Sequence, residues 1–214
     1  MWTVQLVNES DQVRYDSQQD LQNLLVYVCQ TQKTYVDSIR YNPTFKGPYI
    51  GCKPSPFSGK LLLDADVALQ QMNWNHLSYP KKTGNLAKHR IISFDPNSMV
   101  IPQELDSLGQ QVISLYANNG YIALYAVHAD TVNPHLHIVV DAISFDRGRC
   151  FDMSFELGVL QSIIRRWWNQ YETQKLSSER AQQAKEDLLF GKLRYGSIPL
   201  SCADQIKTNQ AMHY

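Results

Sequence analysis

His128-Ala-Asp130-Thr-Val-Asn-Pro-His135-Leu-His137-Ile-Val-Val, preceded by Tyr121-Ile-Ala-Leu-Tyr-Ala-Val, is the stretch on which the fold turns. Asn133-Pro134 is a turn signal between two apolar segments, so the segments on either side of it predict a β-hairpin. Side chains alternate along a strand, which puts His135 and His137 on one face with Leu136 packed behind them. The hairpin brings His128 back beside that pair, so three of the six histidines converge. Imidazole suits zinc, manganese and related divalent ions, and a three-histidine set leaves open positions for substrate oxygens. A histidine in a strand is ordinarily a packing or surface residue, and the His-x-His pair alone does not separate the two readings. The third histidine and the nearby Asp130 favour a metal site without specifying a reaction.

At 214 residues and 43% hydrophobic composition the chain is large enough for one domain with a real core. Cysteines at 29, 52, 150 and 202 show no CxxC spacing and are too sparse for a disulfide framework. No signal-like leader opens the chain and no apolar run reaches membrane-spanning length, so a soluble cytoplasmic protein is expected. The net charge of zero conceals a segregation. Residues 33–90 carry nine Lys/Arg against three Asp/Glu, net +6; residues 91–145 carry five Asp/Glu and no Lys/Arg, net −5. A basic binding surface beside an acidic, metal-holding core is one reading of this pattern. Linear segregation need not become spatial segregation.

Working outward, residues 2–7 alternate well enough for a first strand. Leu21, Leu24, Leu25 and Val28 fall at helical spacing behind the cap candidates Asp16, Ser17 and Asp20. Tyr27 stands one step off that stripe, placed either to pack at a boundary or to offer its phenol to a cleft. Residues 34–65 hold too many Pro and Gly for one long element and predict a functional loop or flap. A short helix is expected over 66–72, followed by aromatic surface at Trp74, His76 and Tyr79 and by the basic pair Lys81-Lys82. Residues 88–94 read as a strand in which His89 shares a face with Ile91 and Ser93. Pro102 opens a helix with Leu105, Leu108, Val112 and Leu115 as its buried stripe, and Asn118-Asn-Gly120 stops it.

Past the hairpin, Asp146-Arg-Gly148-Arg is a tight turn, Phe151 begins a short return strand, and Asp152 or Ser154 caps a helix bearing Leu157, Leu160, Ile164, Trp167 and Tyr171. A further helix is expected over 178–190, then a poorly specified tail. The order of elements predicts an α+β fold: a single domain with a central antiparallel sheet and the helices on one side of it. The division expected is 1–175 for that domain and 176–214 for a helical extension or tail.

With its flank Asp141-Ala-Ile-Ser-Phe145, the histidine stretch resembles the metal motif of the relaxases, the mobilisation nucleases of plasmids and integrative elements, within the HUH endonuclease superfamily. Tyr27-Val-Cys-Gln-Thr-Gln-Lys33-Thr34 is similar to the amino-terminal tyrosine motif of the MobA/MobL (MOBP-like) family. His89-Arg-Ile-Ile-Ser93-Phe94 is similar to that family's intermediate His-to-Ser-Phe motif. The three motifs stand in the family's order and cover roughly residues 20–175. Asp141 departs from the pattern, in which Asn is frequent.

The resemblance implies an HUH relaxase-like fold of ferredoxin-like or palm topology. It also implies a divalent metal ion, Mn²⁺ or Mg²⁺, on His128, His135 and His137, and Tyr27 as the nucleophile that nicks one DNA strand at an origin of transfer. Asp130 is the candidate for general base or for orienting a histidine, and Lys33, Lys81, Lys82 and Arg90 for DNA contacts. The implied partners are single-stranded origin DNA, accessory mobilisation proteins and a coupling protein, in a bacterial cytoplasm. Three alternatives remain open from sequence. These are a replication initiator or transposase with the same site, a DNA-binding module that does not cut, and a hydrolytic zinc enzyme in which Tyr27 is structural.

Overall fold

The computed structural model describes residues 1–8, 13–30, 40–41, 53–54, 61–62, 65–80, 83–98, 100, 102–128, 131 and 133–195. Its centre is an antiparallel sheet of five strands: β1 (Trp2–Leu6), β2 (Arg40–Tyr41), β5 (Ala87–Phe94), β6 (Tyr121–His128) and β7 (His135–Ser144), in the order β1-β5-β7-β6-β2. Two residue pairs, β3 (Lys53–Pro54) and β4 (Leu61–Leu62), form a separate small ladder. Among the described residues, four α-helices complete the architecture: α1 (Gln18–Val28), α2 (Ala65–Ser78), α3 (Pro102–Asn118) and α4 (Glu156–Tyr195). The chain separates into two compact units, Met1–Ile164, which holds the sheet, and Arg165–Tyr214.

The α+β class and the β6–β7 hairpin agree with the sequence reading, but the helices do not lie on one side. Leu21, Leu24, Leu25 and Val28 of α1 and Val67, Ala68 and Met72 of α2 pack with Ala87, Ile122, Leu124, Ala126 and Val139 on one face of the sheet. On the other face α3 lies along β6, where Gly109 meets the Tyr125 ring and the Tyr125 hydroxyl reaches Asp106 Oδ1 at 2.7 Å. Every residue of β6 is consequently buried. Its run of apolar residues is that of a strand covered on both faces, the pattern that opposes one-sided packing.

Other differences have local causes. The helix expected over 66–72 runs the full length of α2, because Asn75 and His76 at its far end are buried and hydrogen-bonded rather than exposed. The return strand at Phe151 is reduced to one bridge, Ile143 with Cys150. The two carboxyl-terminal helices are one continuous helix, α4, which carries no Pro to interrupt it. Of the irregular 34–65 stretch, the three short strands and Ala65, the first residue of α2, lie within the described residues.

Candidate active site

The register of the hairpin sets the site. His128 and His135 are directly opposite across β6 and β7, and His137, two residues on, faces Ala126. All three imidazoles therefore stand on the face covered by α1 and α2, and the small Ala126 leaves them room. Their ring centroids are 5.3 Å apart for His128–His135, 4.2 Å for His128–His137 and 4.9 Å for His135–His137. One ligating nitrogen from each lies within 4.8 Å of the others, and among the described residues this is the group of His, Cys, Asp and Glu side chains with the spacing of a metal site.

Each ring is oriented through its other nitrogen. His128 Nε2 donates to the Val28 carbonyl at 2.9 Å, at the end of α1, where backbone carbonyls lack helical partners and carry partial negative charge. His135 Nδ1 donates to the Asn133 carbonyl at 2.9 Å. His137 Nδ1 is 2.8 Å from His89 Nε2. Ligation then falls to Nδ1 of His128 and Nε2 of His135 and His137. Three neutral imidazoles, each held by a hydrogen bond on its far side, fit a divalent ion.

Tyr27 enters from the last turn of α1. That helix is started by a capping box in which Ser17 accepts from the Asp20 amide and Asp20 accepts from the Ser17 amide. It is anchored by its buried Leu21-Leu24-Leu25-Val28 stripe. Tyr27 lies off that stripe, 40% exposed, with its ring centroid 5.8 Å from His128 and 5.4 Å from His137, in edge contact with both. The tyrosine and the three histidines thus share one cleft.

Residues 55–187 match the family described as relaxase, MobA/VirD2-like, nuclease domain. The chain belongs to this relaxase family. Among curated proteins, the relaxase domain is 34% identical over 89 residues to Protein rlx of Staphylococcus aureus, covering 42% of this chain and 26% of that protein. It is 25% identical over 154 residues to the group II intron-interrupted relaxase LtrB of Lactococcus lactis subsp. cremoris, covering 69% of this chain and 26% of that protein. The chain thus spans about a quarter of the length of these two relatives. No solved structure matches it.

Of the residues predicted from sequence, Tyr27, His128, His135 and His137 are brought together in the relaxase domain. Asp130, Lys33, Lys81 and Lys82 lie outside the described residues. Arg90 stands elsewhere. It is fully buried on the opposite face of β5, with Nε and Nη2 on the Glu156 carboxylate at 2.9 and 2.7 Å and Nη1 on Asn8 Oδ1 at 3.1 Å. A DNA contact requires an accessible guanidinium, and this one is committed to holding the start of α4, so the expectation for Arg90 is corrected.

Two features lay beyond the sequence reading. His89 is a hydrogen-bond partner of a candidate ligand, with its Nδ1 3.0 Å from the Tyr15 hydroxyl. Burial, with the nearby charges of Arg90 and His128 adding to it, holds His89 down to about 4. Burial and then Tyr27 raise Tyr15, which keeps it a phenol. Asp141, fully buried on the histidine face, accepts from His76 Nε2 at 2.8 Å, Asn75 Nδ2 at 2.9 Å and the Ile143 amide at 2.9 Å. Three donors converging on its two oxygens suit a carboxylate, and they tie α2 to β7 beneath the site. The same-face pattern of His89, Ile91 and Ser93 was legible, but the partner of His89 depended on which strand lies beside β5.

Proposed function

We propose that this domain is the catalytic part of a DNA relaxase in conjugative mobilisation, and that it nicks one strand of an origin of transfer with Tyr27 as nucleophile. The observation that carries the reading is the edge contact of Tyr27 with two of the three convergent imidazoles, in a chain of the relaxase family. A divalent ion, Mn²⁺ or Mg²⁺, held by His128, His135 and His137 supplies charge withdrawal at the scissile phosphate. The Tyr27 oxygen forms a bond to phosphorus, and the bond from phosphorus to the 3′ oxygen breaks. The departing oxygen takes a proton and leaves as a 3′-hydroxyl, while the 5′-phosphate stays on Tyr27. The phosphotyrosine link conserves the phosphoester for later rejoining.

The phenolic proton must go to a base, and Asp130, between the hairpin strands in sequence, is the residue assigned to that role or to orienting a histidine. Lys33, Lys81 and Lys82 are assigned to the DNA backbone, which makes binding salt-dependent. Residues 1–175 are the nuclease domain in this reading and 176–214 an extension. The setting is a bacterial cytoplasm with accessory mobilisation and coupling proteins, on a plasmid or integrative element. Among the described residues no helix is long and apolar enough to cross a membrane.

The test is to incubate the protein with Mn²⁺ and labelled single-stranded DNA from its own element, and to look for a covalent adduct after denaturation. An adduct that Tyr27→Phe abolishes supports the reading. Cleaved DNA without an adduct points to hydrolysis, and an adduct that survives Tyr27→Phe moves the nucleophile to another tyrosine.

A further inference from the structure

We propose that His89 is the positioning residue of the metal site. With Tyr15 behind it, His89 forms a hydrogen-bond chain that holds His137 in the tautomer presenting Nε2 to the ion. The inference rests on the metal reading of the three histidines.

The chain runs inward from the surface. Tyr15, half-buried, places its hydroxyl 3.0 Å from His89 Nδ1, and His89 Nε2 is 2.8 Å from His137 Nδ1. The two imidazoles are nearly coplanar, 22° apart, which suits a hydrogen bond in the plane of both rings. They are diagonal neighbours on adjacent strands, since His89 pairs with Val139 and His137 with Ile91. His89 is itself held firmly. Its amide donates to Asn8 Oδ1 at 3.1 Å, and its carbonyl accepts from the Val7 amide at 3.0 Å and from Arg90 Nη1 at 3.2 Å. A buried, pinned strand residue defines its partner's ring orientation in a way that a mobile surface group does not.

A neutral imidazole carries one N–H, so the chain has only two polarities. When His137 ligates through Nε2, its proton is on Nδ1 and is donated to His89 Nε2. His89 then carries its own proton on Nδ1 and donates to the Tyr15 oxygen. In the reverse polarity Tyr15 donates to His89, His89 donates to His137 Nδ1, and the proton of His137 sits on Nε2, where it blocks ligation. Metal binding selects the first arrangement, and the buried geometry of His89 makes it available. The outer partner of a ligating histidine is commonly a carboxylate, carbonyl or water. An imidazole in that place adds no negative charge behind the ligand, so the charge of the ion is left to act on a phosphodiester.

The test uses the full chain without DNA and measures Mn²⁺ affinity by calorimetry. His89→Phe, which fills the space without an acceptor, is expected to weaken binding roughly 10- to 100-fold. His89→Gln, whose amide reaches about as far as Nε2, is expected to recover most of that loss, and Tyr15→Phe to weaken binding by several-fold. Nitrogen-15 spectra of the Mg²⁺-loaded protein should show His137 protonated on Nδ1, with a mixed tautomer in His89→Phe. Equal affinities for wild type, His89→Phe and Tyr15→Phe overturn the proposal, as does equal weakening in the Phe and Gln variants. If His89→Phe does not fold, Tyr15→Phe decides: an unchanged affinity and an unchanged His137 tautomer reject the chain. A wild-type protein that binds no Mn²⁺ overturns the metal reading and this inference together, whereas insensitive variants of a binding protein overturn only the role of His89.

Discussion

The Val28 carbonyl accepts a 2.9 Å hydrogen bond from His128 Nε2, joining two residues a hundred positions apart. One contact therefore does three things: it satisfies a carbonyl at the end of α1, sets the tautomer of a candidate ligand, and seats Tyr27 beside that ligand. The proposed nucleophile on a helix and the candidate metal site on a sheet are held in register by the backbone of one and the side chain of the other.

It follows that His128 and His135 differ in their structural weight. His128→Ala removes a buried 2.9 Å hydrogen bond to the Val28 carbonyl and is expected to lower the stability of the metal-free protein by about 1–3 kcal/mol. His135, partly exposed, bonds to the exposed Asn133, and His135→Ala is expected to change stability by less than about 1 kcal/mol. Both variants should lose metal-dependent cleavage. Urea denaturation in chelator, beside a cleavage assay, separates the two effects; equal stability losses would contradict the role given to the Val28 bond.

The opposite face of the sheet depends on Arg90 and Glu156. Their buried ion pair is completed by the Tyr116 hydroxyl, 2.7 Å from Glu156 Oε1. Glu156→Ala leaves the guanidinium buried without its carboxylate, and a loss of about 3–5 kcal/mol is expected in denaturant titrations. The double variant Arg90→Met with Glu156→Leu should be markedly more stable than Glu156→Ala, since no charge is then stranded.

Stability should also depend on pH through His89. Its folded value of about 4 lies below its ordinary 6.5. Between those values the unfolded chain binds a proton that the folded chain does not. The contribution is therefore fully present above about pH 6.5 and falls as the pH drops toward 4, by about 2 kcal/mol at pH 4.5. Denaturant midpoints of the chelated wild type at pH 7 and 4.5 should diverge more than those of His89→Gln; identical shifts would count against it.

Two glycines in helices of the same protein should respond oppositely. A methyl group at Gly109 falls within the Tyr125 ring, which is fully buried, so Gly109→Ala is expected to destabilise by about 1–3 kcal/mol. Nothing lies within 4 Å of the corresponding position at Gly158 in α4. There the substitution removes only the backbone-entropy cost of glycine, and Gly158→Ala is expected to stabilise by about 0.5–1 kcal/mol. Thermal melts of the two variants test the packing of α3 on β6 directly.

Local signals were sufficient for much of this molecule. The Leu21-Leu24-Leu25-Val28 spacing marks α1, Asp16, Ser17 and Asp20 offer its cap, and Asn133-Pro134 between apolar segments marks the hairpin. The period of two places His135 and His137 on one face, and the hairpin returns His128 to them. These relations involve residues close in the chain, where backbone geometry leaves few options. One-sided helix packing does not hold: α1 and α2 lie on one face and α3 on the other, as the continuous apolar run of β6 requires.

Only the tertiary structure decided the contacts between distant segments. Strand order puts β5 beside β7, and from that alone His89 meets His137 while Arg90, the next residue, turns to Glu156 on the other face. The sequence by itself determined which residues carry the imidazoles and the phenol of the proposed metal-assisted phosphoryl transfer. Which of them share a cleft was decided by long-range packing, because a strand's alternation assigns each residue a face but does not say what will cover it.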